Sequence, residues 1–340
     1  MANKDVQPII AVDAMGGDYA PAEIVEGAVR AATEIGVKII LVGTKAVIET
    51  ELAKYDTGTA ISIVDAPDII KDGEEPAFAV MRKRNNSIAI ATRLVKDGQA
   101  DAVVSAGSTG ACMVCALQYL GTLPGIERPI AGGAVLGLAP NTVLMDLGAN
   151  VGVKPYQLLN FGIAGSIYAN IFHGIDNPAI GLLNVGAEEG KGNEQVKQAY
   201  PLFKNSGMNF VGNVEGMDIV TEIVNVIVCD GFVGNILVKY NEGLVRVLNG
   251  FIEKELKGSV PEEALQGLTQ KLFRMLSSAV AVGGGPLIGV NGIFSVAHGN
   301  SRVPQIIGTI KNTRTALESG FVEKLREGLE KAQATNPAED

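Results

Sequence analysis

The sequence predicts an α/β protein with a three-layer α/β/α arrangement, in which a mostly parallel sheet carries helices on both faces. Three observations support this prediction: short apolar, β-branched runs alternate with longer helical patterns, 47% of the 340 residues are hydrophobic, and many of the 42 glycines end apolar runs. The expected strands cover residues 8–13, 37–42, 60–65, 101–105, 142–146, 179–184, 209–214 and 224–230. The main helical patterns cover residues 21–35, 76–96 and 155–172.

A helical hairpin is expected over about residues 235–281, with its turn at residues 258–261. Leucines 265, 268, 272 and 276 and Ala279 recur at the spacing of one helical stripe. The stripe either packs on the body or a second subunit, or forms a surface for dimerisation and membrane contact with Val260 at the tip. Because no long linker interrupts the pattern, residues 1–340 are expected to form a single domain with the hairpin as a subdomain.

Composition argues against several classes of function. A net charge of −9 and the absence of tryptophan disfavour general binding to nucleic acid. Three cysteines argue against a disulfide framework, and Cys112 and Cys115 lie in an apolar helical pattern where thiols pack as small hydrophobic groups. The first residues lack a signal peptide's apolar segment, and no run is long enough to span a bilayer. We therefore expect a soluble protein of the reducing cytosol.

Two loops rich in small residues follow expected strands and precede expected helices. The first, DAMGGD, contains Asp13, Gly16, Gly17 and Asp18, and the second spans residues 105–110. The candidate residues of the second loop are Ser105, Gly107, Ser108 and Thr109. Backbone N–H groups at helix starts attract anions, so both loops are candidates for binding phosphate at one edge of the sheet. Each loop on its own is equally explained as a glycine turn with a helix cap.

Three later loops add candidate side chains. Lys191 lies between two glycines in the loop 184–193, where it either contacts an anion or is a solvated charge. The segment 230–235 contributes Asp230, Gly231 and Asn235, with a polar first helical turn as the alternative. His298 lies in the glycine-rich stretch 283–301, and a lone histidine is often structural.

Together these segments resemble the bacterial phosphate acyltransferase family, the acyl-ACP:phosphate acyltransferases of phospholipid synthesis. The matching segments lie in the family's order along nearly the whole chain: DAMGGD at 13–18, EPAFAVMRKRNNS at 75–87, SAGSTGA at 105–111, MDLGAN at 145–150, NVGAEEGKGN at 184–193, GNVEG at 212–216, DGFVGN at 230–235 and HGNS at 298–301. One departure is Ser108, because the family usually has asparagine there.

The resemblance implies a fold like that of isocitrate and isopropylmalate dehydrogenases and phosphotransacetylase. It also implies a homodimer that converts acyl-ACP and inorganic phosphate to acyl phosphate and ACP without a cofactor or metal. A peripheral membrane contact through the hairpin and a downstream membrane acyltransferase as a partner are implied as well. Lys191 and Asn235 are the positions that the resemblance marks for chemistry.

The implied reaction fits a chain with few candidate acids and bases. Phosphate is already anionic near neutral pH, and a thiolate leaves without a strong acid, so positioning and oxyanion stabilisation remain as the main tasks. An acidic carrier protein needs a cationic surface on this acidic chain, and the densest cationic run is Arg82, Lys83 and Arg84. A solvated helix face is the alternative for that run.

Three other functions compete with this interpretation. A phosphotransacetylase that uses acyl-CoA has the same chemistry, so the sequence pattern scarcely separates the two. An NAD-linked dehydrogenase on the related fold is disfavoured because the dinucleotide fingerprint is missing. A non-enzymatic lipid-binding or scaffold protein is the third.

Overall fold

A computed structural model of the chain describes residues 7–71, 73–134, 137–276 and 283–335. The contacts within the chain divide it into two units. Unit 1 comprises Met1–Leu123 and Val282–Lys324, and unit 2 comprises Pro124–Ala281 and Leu325–Asp340. Each unit has a sheet of its own, so the expected strands are divided between two sheets.

The strands of the described residues are β1 (Ile9–Asp13), β2 (Lys38–Gly43), β3 (Ile61–Asp65), β4 (Ala102–Ser105), β5 (Gly132–Ala134), β6 (Val143–Met145), β7 (Ile180–Leu183), β8 (Phe210–Val214), β9 (Val226–Val228), β10 (Gly285–Pro286) and β11 (Ile293–Val296). The α-helices are α1 (Ala22–Ala31), α2 (Lys45–Leu52), α3 (Pro76–Arg82), α4 (Ser87–Lys96), α5 (Thr109–Tyr119), α6 (Pro155–His173), α7 (Glu194–Lys204), α8 (Gly231–Leu256), α9 (Glu262–Leu276), α10 (Val303–Glu318) and α11 (Phe321–Thr335).

Unit 1 contains a six-stranded sheet in the order β10-β11-β4-β1-β2-β3, in which only β10 is antiparallel to its neighbour. Alternating residues of β1 face opposite layers, as the two-residue period of a strand requires. Ile10 and Val12 join a buried cluster with α1 and α10, whereas Ala11 joins another cluster with α4 and α5. The predicted three-layer arrangement is therefore present in unit 1.

Unit 2 contains a five-stranded sheet in the order β5-β6-β9-β7-β8, again with one antiparallel edge strand. Ile227 of β9 packs in a cluster that includes Leu237 and Val238 of α8. On the other face, Val226 approaches Gly165 of α6, where a β-carbon would lie 2.5 Å from Val226 Cγ1. Glycine therefore lets α6 lie close against this sheet.

Two segments differ from the sequence prediction. Residues 76–96 form two helices instead of one, because the chain leaves α3 at Lys83 and Asn86 begins α4 with its side chain accepting from Ala89 N at 2.8 Å. The glycine-rich stretch after residue 283 contains β11, which lies inside the sheet of unit 1 next to β4. The strand at 224–230 is thus not the last strand of the core.

The predicted hairpin is present as α8 and α9, although its first helix begins at Gly231 instead of residue 235. Val245, Leu265 and Thr269 are buried along it, whereas Leu268 of the predicted stripe is 45% exposed. Residues 277–281, including Ala279, lie outside the described residues. Among the helices that the structure describes, none is both long enough and apolar enough to cross a bilayer.

Candidate active site

Three loops of unit 1 lie side by side at the carboxyl ends of β1, β4 and β11, which are neighbouring parallel strands. Asp18 N donates to Gly299 O at 2.8 Å, which joins the first loop to the last. A β-carbon at Gly16 would lie 2.6 Å from Gly107 N, so the first and second loops also touch. The predicted proximity of the first two loops is confirmed, and the glycine-rich stretch that carries His298 joins them.

Asp13 is the buried centre of this arrangement. Its carboxylate accepts from Ser105 Oγ at 2.7 Å and from Met15 N at 3.1 Å, and the Ser87 hydroxyl is a further donor. Ser105 Oγ in turn accepts from Gly107 N at 3.0 Å. Burial raises the pKa of the Asp13 carboxyl above its usual 3.8, and these hydrogen bonds oppose the rise. Because Asp13 and Ser105 have no exposed surface, they support the loops from inside.

Other candidate residues in the loops of unit 1 lie at the surface. Asp18, Thr109 and His298 are exposed, and Ser108 is half-buried at the start of α5. Gly17 has a φ of +105°, a conformation that favours glycine and that turns the first loop. The exposed backbone and hydroxyl groups can reach an anion, and direct phosphate contact by any of these residues stays a prediction.

In unit 2, Asp146 organises the loop that follows β6. Its buried carboxylate accepts the N–H groups of Ala131, Gly148, Ala149 and Asn150, and it also accepts Asn150 Nδ2 at 2.7 Å. Burial raises the pKa of this carboxyl, and the hydrogen bonds from Gly148, Ala149 and Asn150 oppose that rise. The loop is held so that a β-carbon at Gly148 would lie 3.0 Å from Asn235 Cβ.

Asp230 and Gly231 fix the start of α8. Asp230 accepts from Phe232 N at 2.7 Å as the helix cap, and its other oxygen accepts from Gly152 N and Val153 N. Gly231 is buried, and its N–H donates to Asn150 O at 2.8 Å. Both residues therefore hold the loop and the helix together, and their predicted direct contact with substrate stays a prediction. Asn235 follows one turn later and is exposed.

Lys191 is exposed on a loop with a fixed backbone. Asn184 Nδ2 donates to Lys191 O at 3.0 Å, and Lys191 N donates to Glu188 O at 3.0 Å. No carboxylate in the described ranges forms an ion pair with its ammonium. Since β6, β9 and β7 are adjacent parallel strands, the loops carrying Asn150, Asp230 and Lys191 lie at one edge of this sheet. The expected convergence of loops from both units stays a prediction.

The cationic run of unit 1 is only partly available. Lys83 Nζ is held by Glu74 at 2.5 Å and by Ile69 O at 2.7 Å, which disagrees with a free docking role for this lysine. Arg82 and Arg84 are exposed. Arg82 shares α3 with two exposed apolar side chains, Phe78 and Met81, and Arg84 follows the end of that helix.

A family model described as "fatty acid synthesis protein" matches residues 9–324 of the chain. The chain belongs to that family. The chain is 46% identical over 333 residues to a phosphate acyltransferase of Pelotomaculum thermopropionicum, with 94% of this chain and 95% of the relative covered. A phosphate acyltransferase of Gloeobacter violaceus is 43% identical over 326 residues, with 94% and 96% covered.

Solved structures support the fold of this family member. A phosphotransacetylase from Streptococcus pyogenes superposes with a TM-score of 0.63 at 18% identity, covering 92% of this chain and 94% of the other. A phosphotransacetylase from Staphylococcus aureus gives a TM-score of 0.56 at 17% identity, with 91% and 94% covered. At these identities the likeness concerns the fold, and it confirms the predicted α/β class.

Sequence reasoning assigned no role to Ser87, Asp146 or Asn150, which prove central to the two loop systems. Each lies in a segment that carried the family resemblance, so the motifs themselves pointed to these positions. Their roles depend on contacts between segments distant in sequence, such as the bond from Ser87 to Asp13. Such contacts leave no local pattern of spacing.

Proposed function

We propose that this protein is a phosphate acyltransferase that transfers a fatty acyl group from the thioester of acyl carrier protein to inorganic phosphate. The observation that carries the proposal is identity of 43–46% over nearly full length to relatives named phosphate acyltransferase. The exposed lysine loop of unit 2 and the glycine-rich loops of unit 1 supply groups that suit this chemistry.

The reaction needs an anion held beside a thioester. An oxygen of phosphate attacks the carbonyl carbon, and the carbonyl oxygen becomes an oxyanion in the tetrahedral intermediate. The carbon–sulfur bond then breaks, and the thiolate leaves with the electron pair and takes a proton from water. Lys191 neutralises the phosphate or the oxyanion, and the Asn235 amide donates to the same developing charge. Preorganised donors of this kind contribute the largest part of catalysis in many acyl transfers.

The loops of unit 1 have a separate task. Backbone N–H groups around Gly16, Gly17 and residues 107–109 hold phosphate, since the start of α5 favours negative charge. Asp13 and Ser105 are positioning residues, because both are buried and both hold the loop backbone. Their contribution to binding is therefore indirect.

Partners and location belong to the same proposal. The carrier protein docks through Arg82 and Arg84, while Lys83 keeps its internal ion pair. The protein acts in the cytoplasm as a homodimer and touches the membrane through the hairpin near Val260. Its acyl phosphate product is then used by a membrane acyltransferase.

Replacing Lys191 tests the chemistry directly. We expect Lys191→Ala to lower kcat/KM for phosphate-dependent thiol release from acyl-ACP by about 10²–10³, the loss seen for a single oxyanion donor. Lys197→Ala is the matched control, because Lys197 is an exposed lysine on α7 a few residues away. Wild-type turnover by a folded Lys191→Ala protein contradicts the assigned role.

The substrate comparison separates the nearest alternative. The same assay with acyl-CoA in place of acyl-ACP shows whether the enzyme is instead a phosphotransacetylase. We expect a clear preference for acyl-ACP in kcat/KM. Equal or better use of acyl-CoA overturns the carrier assignment, and no phosphate-dependent thiol release from either thioester overturns the acyltransferase itself.

A further inference from the structure

Unit 2 contains a pocket of about 550 Å³ at the carboxyl ends of β7 and β9. Its volume lies in the range of small-molecule sites in proteins, which is about 300–1,000 Å³. The residues that line it come from the segment before α6, from β7, from the lysine loop and α7, and from the start of α8. They are Val151, Gly152, Leu158, Leu182, Leu183, Asn184, Val185, Gly192, Asn193, Gln195, Val196, Cys229, Asp230, Phe232 and Val233.

The walls of this pocket are mainly apolar, and several of them face solvent. Val185 is 81% exposed, Val151 is 67% exposed and Phe232 is 58% exposed, while Leu158 and Leu182 are buried. A protein rarely leaves large apolar side chains grouped in the open unless they contact a ligand or a partner. The pocket therefore favours an apolar ligand.

The polar side chains of the lining are already bonded within unit 2. Asn184 bonds Val185 N and Lys191 O, and Asn193 accepts from Val196 N at 2.9 Å. Asp230 accepts from Phe232 N and two other backbone groups, and Gln195 Nε2 donates to Val153 O. A ligand segment with many hydrogen-bonding groups finds poor complementarity here, whereas a hydrocarbon segment needs none.

Both candidate chemical groups of unit 2, Lys191 and Asn235, are close in sequence to the lining of the pocket, although neither residue is part of that lining. Gly192 and Asn193 line the pocket and directly follow Lys191. Phe232 and Val233 line it from the first turn of α8, and Asn235 is two residues further. A thioester carbonyl at the rim of the pocket is near the lysine loop, while the chain attached to it extends among apolar walls.

We propose that this pocket binds the hydrocarbon chain of the acyl group and so sets the enzyme's preference for chain length. The inference rests on the proposed function, because it takes its ligand from that reaction. The pantetheine arm of the carrier is a poorer occupant, since its two amides require hydrogen-bond partners, whereas the lining is mainly apolar and each of its polar side chains already holds a bond within unit 2. A second copy of the chain is the other occupant that the experiment must separate.

The test fills part of the pocket by enlarging a side chain that contributes little to the core. Val233 is 40% exposed, so Val233→Trp adds bulk at the wall with little cost to the core. Val211→Trp is the matched control, because Val211 is an exposed valine of β8 that does not line the pocket. Both variants and the wild type are assayed for phosphate-dependent thiol release with butyryl-ACP and palmitoyl-ACP.

The expected result is selective for the long chain. Each buried methylene contributes about 0.8 kcal/mol, or roughly fourfold in kcat/KM, so displacing two of them costs about tenfold or more. Val233→Trp lowers kcat/KM for palmitoyl-ACP by that factor, mainly through KM, and lowers it much less for butyryl-ACP. Val211→Trp leaves both values unchanged. Calorimetry adds a binding readout, in which the variant weakens dodecylphosphonate binding more than butylphosphonate binding.

The other outcomes overturn the inference in distinguishable ways. Equal losses for both chain lengths assign the pocket to the carrier arm. A loss that accompanies dissociation in analytical ultracentrifugation assigns it to a second copy, and no loss with either substrate leaves the pocket without a role in acyl binding. If the wild type turns over neither substrate, the acyltransferase proposal fails first.

Discussion

Asp13 shows how a single buried carboxylate links charge to loop geometry in unit 1. It has no exposed surface, yet it accepts bonds from Met15 N, Ser105 Oγ and the Ser87 hydroxyl. Burial is the largest influence and raises the pKa of its carboxyl above 3.8. The folded state therefore holds this proton more tightly than the unfolded state does.

This raised pKa predicts a sign for the pH dependence of stability. As pH rises from 3.8 through the folded-state pKa, the ionisation of buried Asp13 subtracts from the free energy of unfolding. Asp13→Asn does not titrate, so its free energy of unfolding minus that of the wild type becomes more positive as pH rises from 3.8 through the folded-state pKa of Asp13. Urea denaturation at several pH values measures this difference.

Ser105→Ala is the companion variant for this prediction. It removes a hydroxyl that stabilises the Asp13 carboxylate, so the folded-state pKa rises further and the decline in stability extends to higher pH than in the wild type. If the difference in the free energy of unfolding between Asp13→Asn and the wild type stays constant or falls with rising pH, the pKa of Asp13 is not raised in the folded state.

The cysteines show where sequence reasoning at the residue scale succeeds. Cys112 and Cys115 are free and fully buried, and burial raises the pKa of the Cys115 thiol to about 12. A thiol in that state is a poor nucleophile, so the two residues pack as small apolar groups in α5. The apolar neighbours in the sequence were sufficient for this prediction, whereas the burial of Asp13 depends on distant segments.

At the scale of elements, the spacing of apolar residues predicts most strands and helices of the fold. The prediction fails where a contact with another segment decides where a helix begins or ends. Residues 76–96 have one continuous helical pattern, yet Lys83 turns away to pair with Glu74 and the helix restarts at Asn86. Similarly, α10 begins where Glu23 of α1 accepts from Val303 N at 2.9 Å. That cap lies 280 residues away in sequence, so no local pattern indicates it.

The glycine-rich stretch before α10, which the sequence predicts as either a tight loop or a broken pair of strands, contains the antiparallel pair of β10 and β11. Only four residues, Ile293–Val296, form β11, and the glycines around them obscure its apolar pattern. Its place beside β4 depends on register with Ala102–Ser105, which is a tertiary property. For the same reason, the sequence marks the loops of the candidate site and Asp13 within the first of them, but it gives no sign of Asp146 or of the burial of either carboxylate.

The helical hairpin leaves an apolar stripe on its longer helix without a covering element in the described chain. The stripe consists of exposed side chains on α8 at helical spacing: Ile236, Tyr240, Val247 and Phe251. A helix of 26 residues is about 39 Å long, so the stripe is large enough to pack against a second copy in a two-fold dimer. The proposed homodimer assigns the stripe to that contact.

Charged substitutions on the stripe test the dimer. We expect the double variant Val247→Asp and Phe251→Asp to sediment as a monomer where the wild type sediments as a dimer, because four charges would be buried in one symmetric interface. The comparison uses analytical ultracentrifugation at equal concentration. Val211→Asp, on an exposed valine of β8, is expected to stay dimeric.

A variant at the tip of the hairpin distinguishes the proposed membrane contact from the proposed dimer contact. Val260→Asp is expected to stay dimeric but to lose co-sedimentation with phosphatidylglycerol vesicles, because the tip carries the proposed lipid contact. If the double variant Val247→Asp and Phe251→Asp stays dimeric, the stripe is not part of the dimer interface. Unchanged vesicle binding by Val260→Asp removes the tip from the membrane contact.

On the scale of the whole molecule, the negative net charge disfavours binding of the proposed acidic carrier protein. The chain has a net charge of −9, and an acidic carrier protein is repelled by such a surface unless a cationic patch faces it. Arg82 and Arg84 are exposed cations that neighbour the exposed apolar side chains of Phe78 and Met81. A patch with an apolar centre and cationic edges matches an acidic amphipathic helix.

Reversing one charge of this patch is expected to weaken binding of the carrier protein without changing the chemical step. We expect Arg82→Glu or Arg84→Glu to raise KM for acyl-ACP by about tenfold at low salt and to weaken its salt dependence, since the attraction is screened over about 10 Å at 0.1 M salt. Turnover of acyl-pantetheine, which lacks the carrier, should not change. Lys96→Glu makes the same change in net charge from an exposed lysine on α4, so an equal effect from it means that net charge, and not this patch, governs docking.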